Sequence, residues 1–161
     1  MRLTLQKLTI LFTLTFCITL VAQAQSLPEE GSLGIRANIN GQSTIELPYM
    51  MNANLSIAPY LGFSTTENTS TTFMVGVRPR YYMGVTSSVA TYFTGMLGFS
   101  NTSIDGTSSS ITDFNLGVGY GAEYFFSDKF SVSADANLNT SFGDTANNIG
   151  TAARVSASIY F

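Results

Sequence analysis

Ala152-Ala153-Arg154-Val155-Ser156-Ala157-Ser158-Ile159-Tyr160-Phe161, the last stretch of the sequence, alternates polar and apolar residues and stops on an aromatic ring. A period of two marks a β-strand whose faces meet different surroundings. It puts Ala153, Val155, Ala157, Ile159 and Phe161 on one face and Arg154, Ser156, Ser158 and Tyr160 on the other. If the apolar face is the outer one, this is the end of a membrane-spanning strand.

Working back from there, alternation and turn residues predict eight strands, near 32–39, 44–51, 55–63, 72–83, 89–99, 113–126, 129–140 and 151–161. The connections alternate in length. Asn52 to Asn54, Gly84 to Ser88 and Ser127-Asp128 are short, whereas Ser64 to Thr71, Ser100 to Thr112 and Ser141 to Gly150 read as longer polar loops, the first two mobile. The short link Asn40 to Ser43 departs from that rhythm. Neighbours joined this way run antiparallel and up-and-down.

The apolar residues of each strand define its face, and the charges then fall on the other side. Leu33, Ile35, Val75, Val77, Leu116, Val118, Val132 and Leu138 share the apolar parity, while Arg36, Glu46, Arg78, Arg80, Glu123, Asp135 and Arg154 share the opposite one. Chance would put seven charges on one parity about once in 128 trials, given a period of two. Small residues such as Gly34, Gly76, Gly117, Gly119 and Gly121 share the polar face, which suits a narrow packed interior. Four arginines against three acids suit pairing in a confined space. A solvated surface would be richer in lysine than a segment holding only Lys129. Outward aromatics form two expected girdles: Tyr49, Tyr81, Tyr124, Phe130 and Phe161 at the short-turn ends, and Phe63, Phe73, Phe99 and Phe114 at the loop ends. Phe93 and Tyr120 fall near mid-height. Pro48, Pro59 and Pro79 lie inside predicted strands and are expected at a rim or a bulge, because a closed barrel has no free edge.

The N-terminus reads differently. Arg2 and Lys7 precede an uncharged apolar run from Leu8 to Ala22 that closes on Ala22-Gln23-Ala24, the form of a secretory signal peptide cleaved after Ala24. The expected organisation is therefore a signal peptide at 1–24, a short unstructured lead-in at 25–31 and one barrel domain at 32–161. Cys17 lies inside the signal, so the exported part has no thiol for a disulfide, a metal or catalysis. A formal net charge of −3, more negative once Arg2 and Lys7 are removed, argues against a nucleic-acid partner. There is no histidine, which removes the usual general base and the commonest metal ligand. No catalytic, metal or cofactor site is assigned. Glu123 with Asp135 is the one carboxylate pair worth weighing for acid–base work, and it reads as part of a structural ion-pair network with the four arginines. Asp105, Asp113 and Asp144 match no dense oxygen-ligand spacing.

Gly76-Val77-Arg78-Pro79-Arg80-Tyr81-Tyr82, Gly121 to Ser131 and the closing Ser158-Ile159-Tyr160-Phe161 resemble small outer-membrane β-barrel proteins of the OmpX and OmpA transmembrane-domain type, in their Bacteroidetes-like form. The resemblance spans the whole exported region. It implies an eight-stranded antiparallel transmembrane barrel in the bacterial outer membrane, with both termini periplasmic and the longer loops outside. It also implies outer-membrane lipid as surroundings, and a terminal signal, Ile159, Tyr160 and Phe161, read by the barrel-assembly machinery. Against the family pattern the first outer loop, Asn40 to Ser43, is short, and no periplasmic domain is expected after the barrel. Enzymes on such barrels rely on a histidine this chain lacks. The leading reading is a non-enzymatic structural or cell-surface barrel of unknown surface ligand, serving envelope integrity or adhesion. The others are a narrow channel for small solutes or ions, and a soluble periplasmic ligand-binding barrel.

Overall fold

A computed structural model describes residues 27–39, 44–86, 88–106 and 109–161. The expected signal segment and the link Asn40 to Ser43 lie outside those residues. Among the described residues nine strands form one sheet: β1 (Gly34–Asn38), β2 (Thr44–Glu46), β3 (Tyr49–Asn52), β4 (Leu55–Thr66), β5 (Ser70–Thr86), β6 (Val89–Ile104), β7 (Ser110–Ser127), β8 (Phe130–Gly143) and β9 (Asn148–Tyr160). Each pairs antiparallel with its neighbour. β1 joins both β2 and β9, so the sheet closes on itself. β2 and β3 are halves of one stave, since Glu46 faces Tyr60 and Tyr49 faces Ile57 of β4 in a single register. The product is an antiparallel barrel of eight staves.

The prolines explain the split stave. Pro48 stands between β2 and β3, and Pro59 lies opposite Leu47; neither supplies the N–H a ladder needs. The ladder opens there, yet Leu47 N still donates to Pro59 O at 2.9 Å and Pro48 O accepts from Gly34 N at 2.8 Å. Pro79 acts likewise. Its pairing with Ile57 of β4 is kept, while the ladder to β6 skips from Val77↔Leu97 to Arg80↔Thr94 without losing register. None of the three prolines sits at a register shift; Pro48 borders the short-turn rim beside Tyr49, whereas Pro59 and Pro79, contrary to the sequence expectation, lie within the wall, where each removes a bond toward one neighbour only. The register shifts lie at Met50/Asn52, Tyr82/Gly84 and Phe125/Ser127, all at the short-turn end. Two of those turns are closed by a side chain. Asn52 Oδ1 accepts from Asn54 N and Leu55 N, both at 2.9 Å, and Ser127 Oγ accepts from Lys129 N and Phe130 N at 3.2 and 3.1 Å.

The other end corrects a second expectation. Most of what reads as long loops is strand: β4 runs to Thr66 and β5 starts at Ser70, β6 runs to Ile104, β7 starts at Ser110, β8 ends at Gly143 and β9 starts at Asn148. Threonine is β-branched and favours strands, and its hydroxyl bonds across them. Thr65 and Thr71 hydroxyls meet at 3.1 Å, those of Thr72 and Thr102 at 2.9 Å, and Asn101 Nδ2 donates to Thr112 Oγ1 at 2.8 Å. Asp113 Oδ1 accepts from Thr145 N and Oγ1 at 3.0 and 2.8 Å, and Asp144 Oδ2 from Thr112 N at 2.9 Å, so both acids lock the β8–β9 turn onto β7. The lead-in is also ordered where it is described. Gly31 N donates to Met50 O at 2.8 Å, Met50 N to Ser32 O at 2.9 Å, and Leu27 packs on the apolar cluster at the barrel's short-turn mouth.

The outer wall is apolar over its full circumference. Ile35, Ile45, Leu61, Leu97, Val118, Leu138 and Ile159 are between 48% and 65% exposed. Among the aromatics, Tyr49, Tyr81, Phe126, Phe130 and Phe161 are exposed at the short-turn end and Phe63, Phe73, Phe99, Phe114 and Phe142 at the other. The rings touch within each belt, with Phe114 stacked on Phe142 at 5.9 Å and Phe126 beside Phe130 at 5.4 Å. Phe114 and Tyr124 are ten residues apart on β7. At ~3.3 Å per residue and a tilt of about 40°, the belts stand roughly 25 Å apart, the height of a lipid-facing band. Water would not tolerate so much apolar surface, whereas a bilayer requires it. Val118, mid-band and 65% exposed, tests the orientation. Val118→Arg is expected to destabilise the lipid-inserted barrel by about 2–4 kcal/mol and Thr65→Arg, above the upper belt, by about 0–1 kcal/mol; equal effects in urea unfolding from lipid vesicles would refute the assignment.

Candidate functional site in the barrel lumen

Alternation sends every second side chain inward, and an eight-stave lumen is just wide enough for them to meet. Small residues make the large ones fit. A Cβ on Gly121 would lie 2.5 Å from Ala134 O and 2.6 Å from Asp135 Cβ, and one on Gly76 2.6 Å from the Tyr60 hydroxyl. The lumen then fills in three storeys. Nearest the short turns, Met50, Tyr82, Ala90, Tyr92, Phe125 and Tyr160 form an apolar cluster, each 0–2% exposed. Charged groups occupy the middle. Above them is a cavity of mixed lining, with Tyr60, Met74 and Met96 beside asparagines.

The structure places all seven charged residues, Arg36, Glu46, Arg78, Arg80, Glu123, Asp135 and Arg154, in the lumen, none more than 8% exposed. Six of them close a ring of alternating sign. Glu46 Oε2 meets Arg36 Nη1 at 3.2 Å, and Arg36 Nη2 lies 3.9 Å from Glu123 Oε2. Glu123 Oε2 meets Arg80 Nη1 at 2.8 Å, and Arg80 Nη2 lies 3.5 Å from Asp135 Oδ2. Asp135 Oδ2 meets Arg154 Nη2 at 2.8 Å, and Arg154 Nη1 returns to Glu46 Oε1 at 3.2 Å. The seventh, Arg78, hangs outside the ring, its Nη1 2.5 Å from Glu46 Oε1.

Hydroxyl groups complete the carboxylates. Glu123 accepts from Tyr82 OH at 2.7 Å, Ser131 Oγ at 2.5 Å and Tyr160 OH at 3.1 Å, while Asp135 accepts from Tyr92 OH at 2.8 Å and Asn137 Nδ2 at 2.5 Å. Arg36 is held at both ends, its Nε donating to Ser158 Oγ at 2.9 Å and Nη2 to Tyr160 OH at 3.0 Å. Arg80 stacks 4.2 Å from the Tyr92 ring centre. The ring spans β1, β2, β5, β7, β8 and β9, tying the first staves to the last. Ser56 Oγ, Arg80 Nε and Arg154 Nε are buried without a hydrogen-bond partner.

Of the inward tyrosines only Tyr160 is assigned to the charged face from sequence; Tyr60, Tyr82 and Tyr92 are not, although their parity, shared with the charges, is the signal that finds them. Glu123 and Asp135 are brought together only through Arg80, within a ring that occupies their oxygens. Asp105, Asp113 and Asp144 stay at the far hairpins, and among the described residues no three acids, histidines or cysteines converge on a metal-sized site. Ile159 and Phe161 face outward, 59% and 67% exposed, and Phe161 N donates to Leu33 O at 2.9 Å, fixing the strand end to the first stave.

Residues 10–161 match the family model of the outer membrane protein beta-barrel domain. No curated protein sequence matches the chain. Among solved structures, it is similar to the N-terminal β-barrel domain of OprF from Pseudomonas aeruginosa, with a TM-score of 0.61 and 16% identity over 82% of this chain and 98% of that one. It is similar also to Neisserial surface protein A, with a TM-score of 0.58 and 19% identity over 80% of this chain and 90% of that one. Identities this low speak to the fold alone, which both share. The match to the family model covers nearly the whole sequence, and the chain belongs to the outer membrane protein β-barrel domain family.

Proposed function

We propose that this barrel is non-enzymatic and serves the outer membrane structurally or at the cell surface, through envelope integrity or contacts made by its outer hairpins. The observation that carries the reading is the closed ring: its charges are spent on one another across the lumen instead of facing a substrate or an ion path. The apolar storey beneath it supports the same reading, since it fills the short-turn half with side chains. The outer hairpins add to it. They are strand-paired beyond the aromatic belt, and a rigid protrusion loses less entropy on contact than a loop does.

Export by a signal peptide at residues 1–24 and recognition of Ile159, Tyr160 and Phe161 by the assembly machinery complete the proposal. Phe161 is exposed at the short-turn end, where a partner can reach it. Deleting Phe161 is expected to lower the yield of heat-modifiable barrel in the outer-membrane fraction; unchanged yield would remove its role as an assembly signal. In planar bilayers the purified protein should give no steady single-channel openings. Reproducible openings altered by Arg36→Gln or Arg80→Gln would replace the structural reading with that of a narrow channel.

A further inference from the structure

The ring leaves one cation over. Arg78 is the fourth guanidinium against three carboxylates, and the Glu46 oxygen it meets is shared with Arg154. Its Nη2 has the thioether sulfur of Met96 as partner, at 3.0 Å, a weak acceptor for a charged donor. Its guanidinium lies 5.3 Å from the centre of the Tyr60 ring. Arg154 stands beside it, 8% exposed, with Nε buried and without a partner.

Above these two groups the lumen widens into a cavity of about 320 Å³. Asn38, Asn115, Asn137 and Asn139 line its wall and Arg78 and Arg154 its floor. All four asparagines are half-buried, so water and small solutes have access. The volume is at the low end for small-molecule sites. The chemistry is specific. A cation with unspent donors is matched by an oxyanion, which takes charge-assisted bonds from guanidinium, and Asn38 and Asn137, each donating one amide N–H within the wall, keep a second for it. Asp113 and Asp144, held at the outer hairpins by Thr145 and Thr112, put negative charge near the mouth and so disfavour a polyanion.

We propose that the outer half of the lumen is a binding cup for one small oxyanion, a phosphate or carboxylate group seated on Arg78 and Arg154. The anion would neutralise the lumen's surplus positive charge. Its source is either a free solute or the phosphate of a lipid headgroup. The site borders the ring through Arg154, which is also a ring member, and is independent of whether the barrel conducts.

The test uses the whole barrel labelled with ¹⁵N-arginine in a phosphate-free maltoside detergent with chloride as background salt. Inorganic phosphate or acetate should shift the side-chain signals of Arg78 and Arg154 to saturation. Met96→Glu keeps both arginines but gives Arg78 an internal carboxylate, and should weaken phosphate binding by at least about tenfold, since a charge at contact distance competes directly. Heat modifiability shows that the variant is folded. The same shifts in anionic-lipid nanodiscs without phosphate, absent in phosphatidylcholine nanodiscs, assign the occupant to a lipid headgroup; shifts with free phosphate alone assign it to a solute. Shifts that never saturate, or equal binding by Met96→Glu, overturn the proposal.

Discussion

Charges taken out of water cost several kcal/mol each unless every one finds an opposite charge and further hydrogen bonds. This barrel holds seven in its lumen, none more than 8% exposed, and meets the requirement by alternating three acids with three arginines around a closed circuit. Much else follows from that circuit. Tyr82, Tyr92 and Tyr160 stand where their hydroxyls fill the remaining lone pairs, and Gly121 leaves room for Asp135 and Tyr92 to meet. The fourth arginine, left without a carboxylate of its own, sets the character of the cavity above.

The circuit also bears on closure. Arg36 on β1 reaches Glu123 on β7 and Ser158 on β9, and Arg154 on β9 reaches Glu46 on β2. These contacts join residues more than 80 positions apart, so they form only when the last stave meets the first. Outside, the requirement is reversed: the wall must be apolar and every backbone group paired, because lipid offers no hydrogen bonds. The prolines show how far that rule bends. Each drops a bond toward one neighbour while the register holds, and Thr94 Oγ1 donates to Pro79 O at 3.1 Å where the β5–β6 ladder is open.

Much of this was legible from period-two alternation, which sorted lipid-facing from lumen-facing residues and put all seven charges on one side. It failed where the two sides of a strand meet the same medium. Beyond the upper belt, Ser64 to Thr66, Ser70 to Thr71, Ser100 to Ile104 and Ser110 to Thr112 carry polar residues on both faces, so alternation fades and paired strand reads as loop. The split at Pro48 was hidden because one missing N–H leaves no mark on hydrophobic pattern. The circuit itself was not legible either: parity shows that Glu46 and Arg154 face inward but not that they touch, since which charge meets which depends on the stagger of the closed barrel.

The central claim is that the alternating charges act as one coupled unit. A double-mutant cycle on Asp135 and Arg154, 2.8 Å apart, tests it most directly, with Asp135→Asn, Arg154→Gln and the double variant unfolded reversibly in urea from lipid vesicles. The account predicts that each single change is strongly destabilising and that the double costs less than their sum, with a coupling of roughly 1–3 kcal/mol. Additivity to within about 0.5 kcal/mol would contradict it.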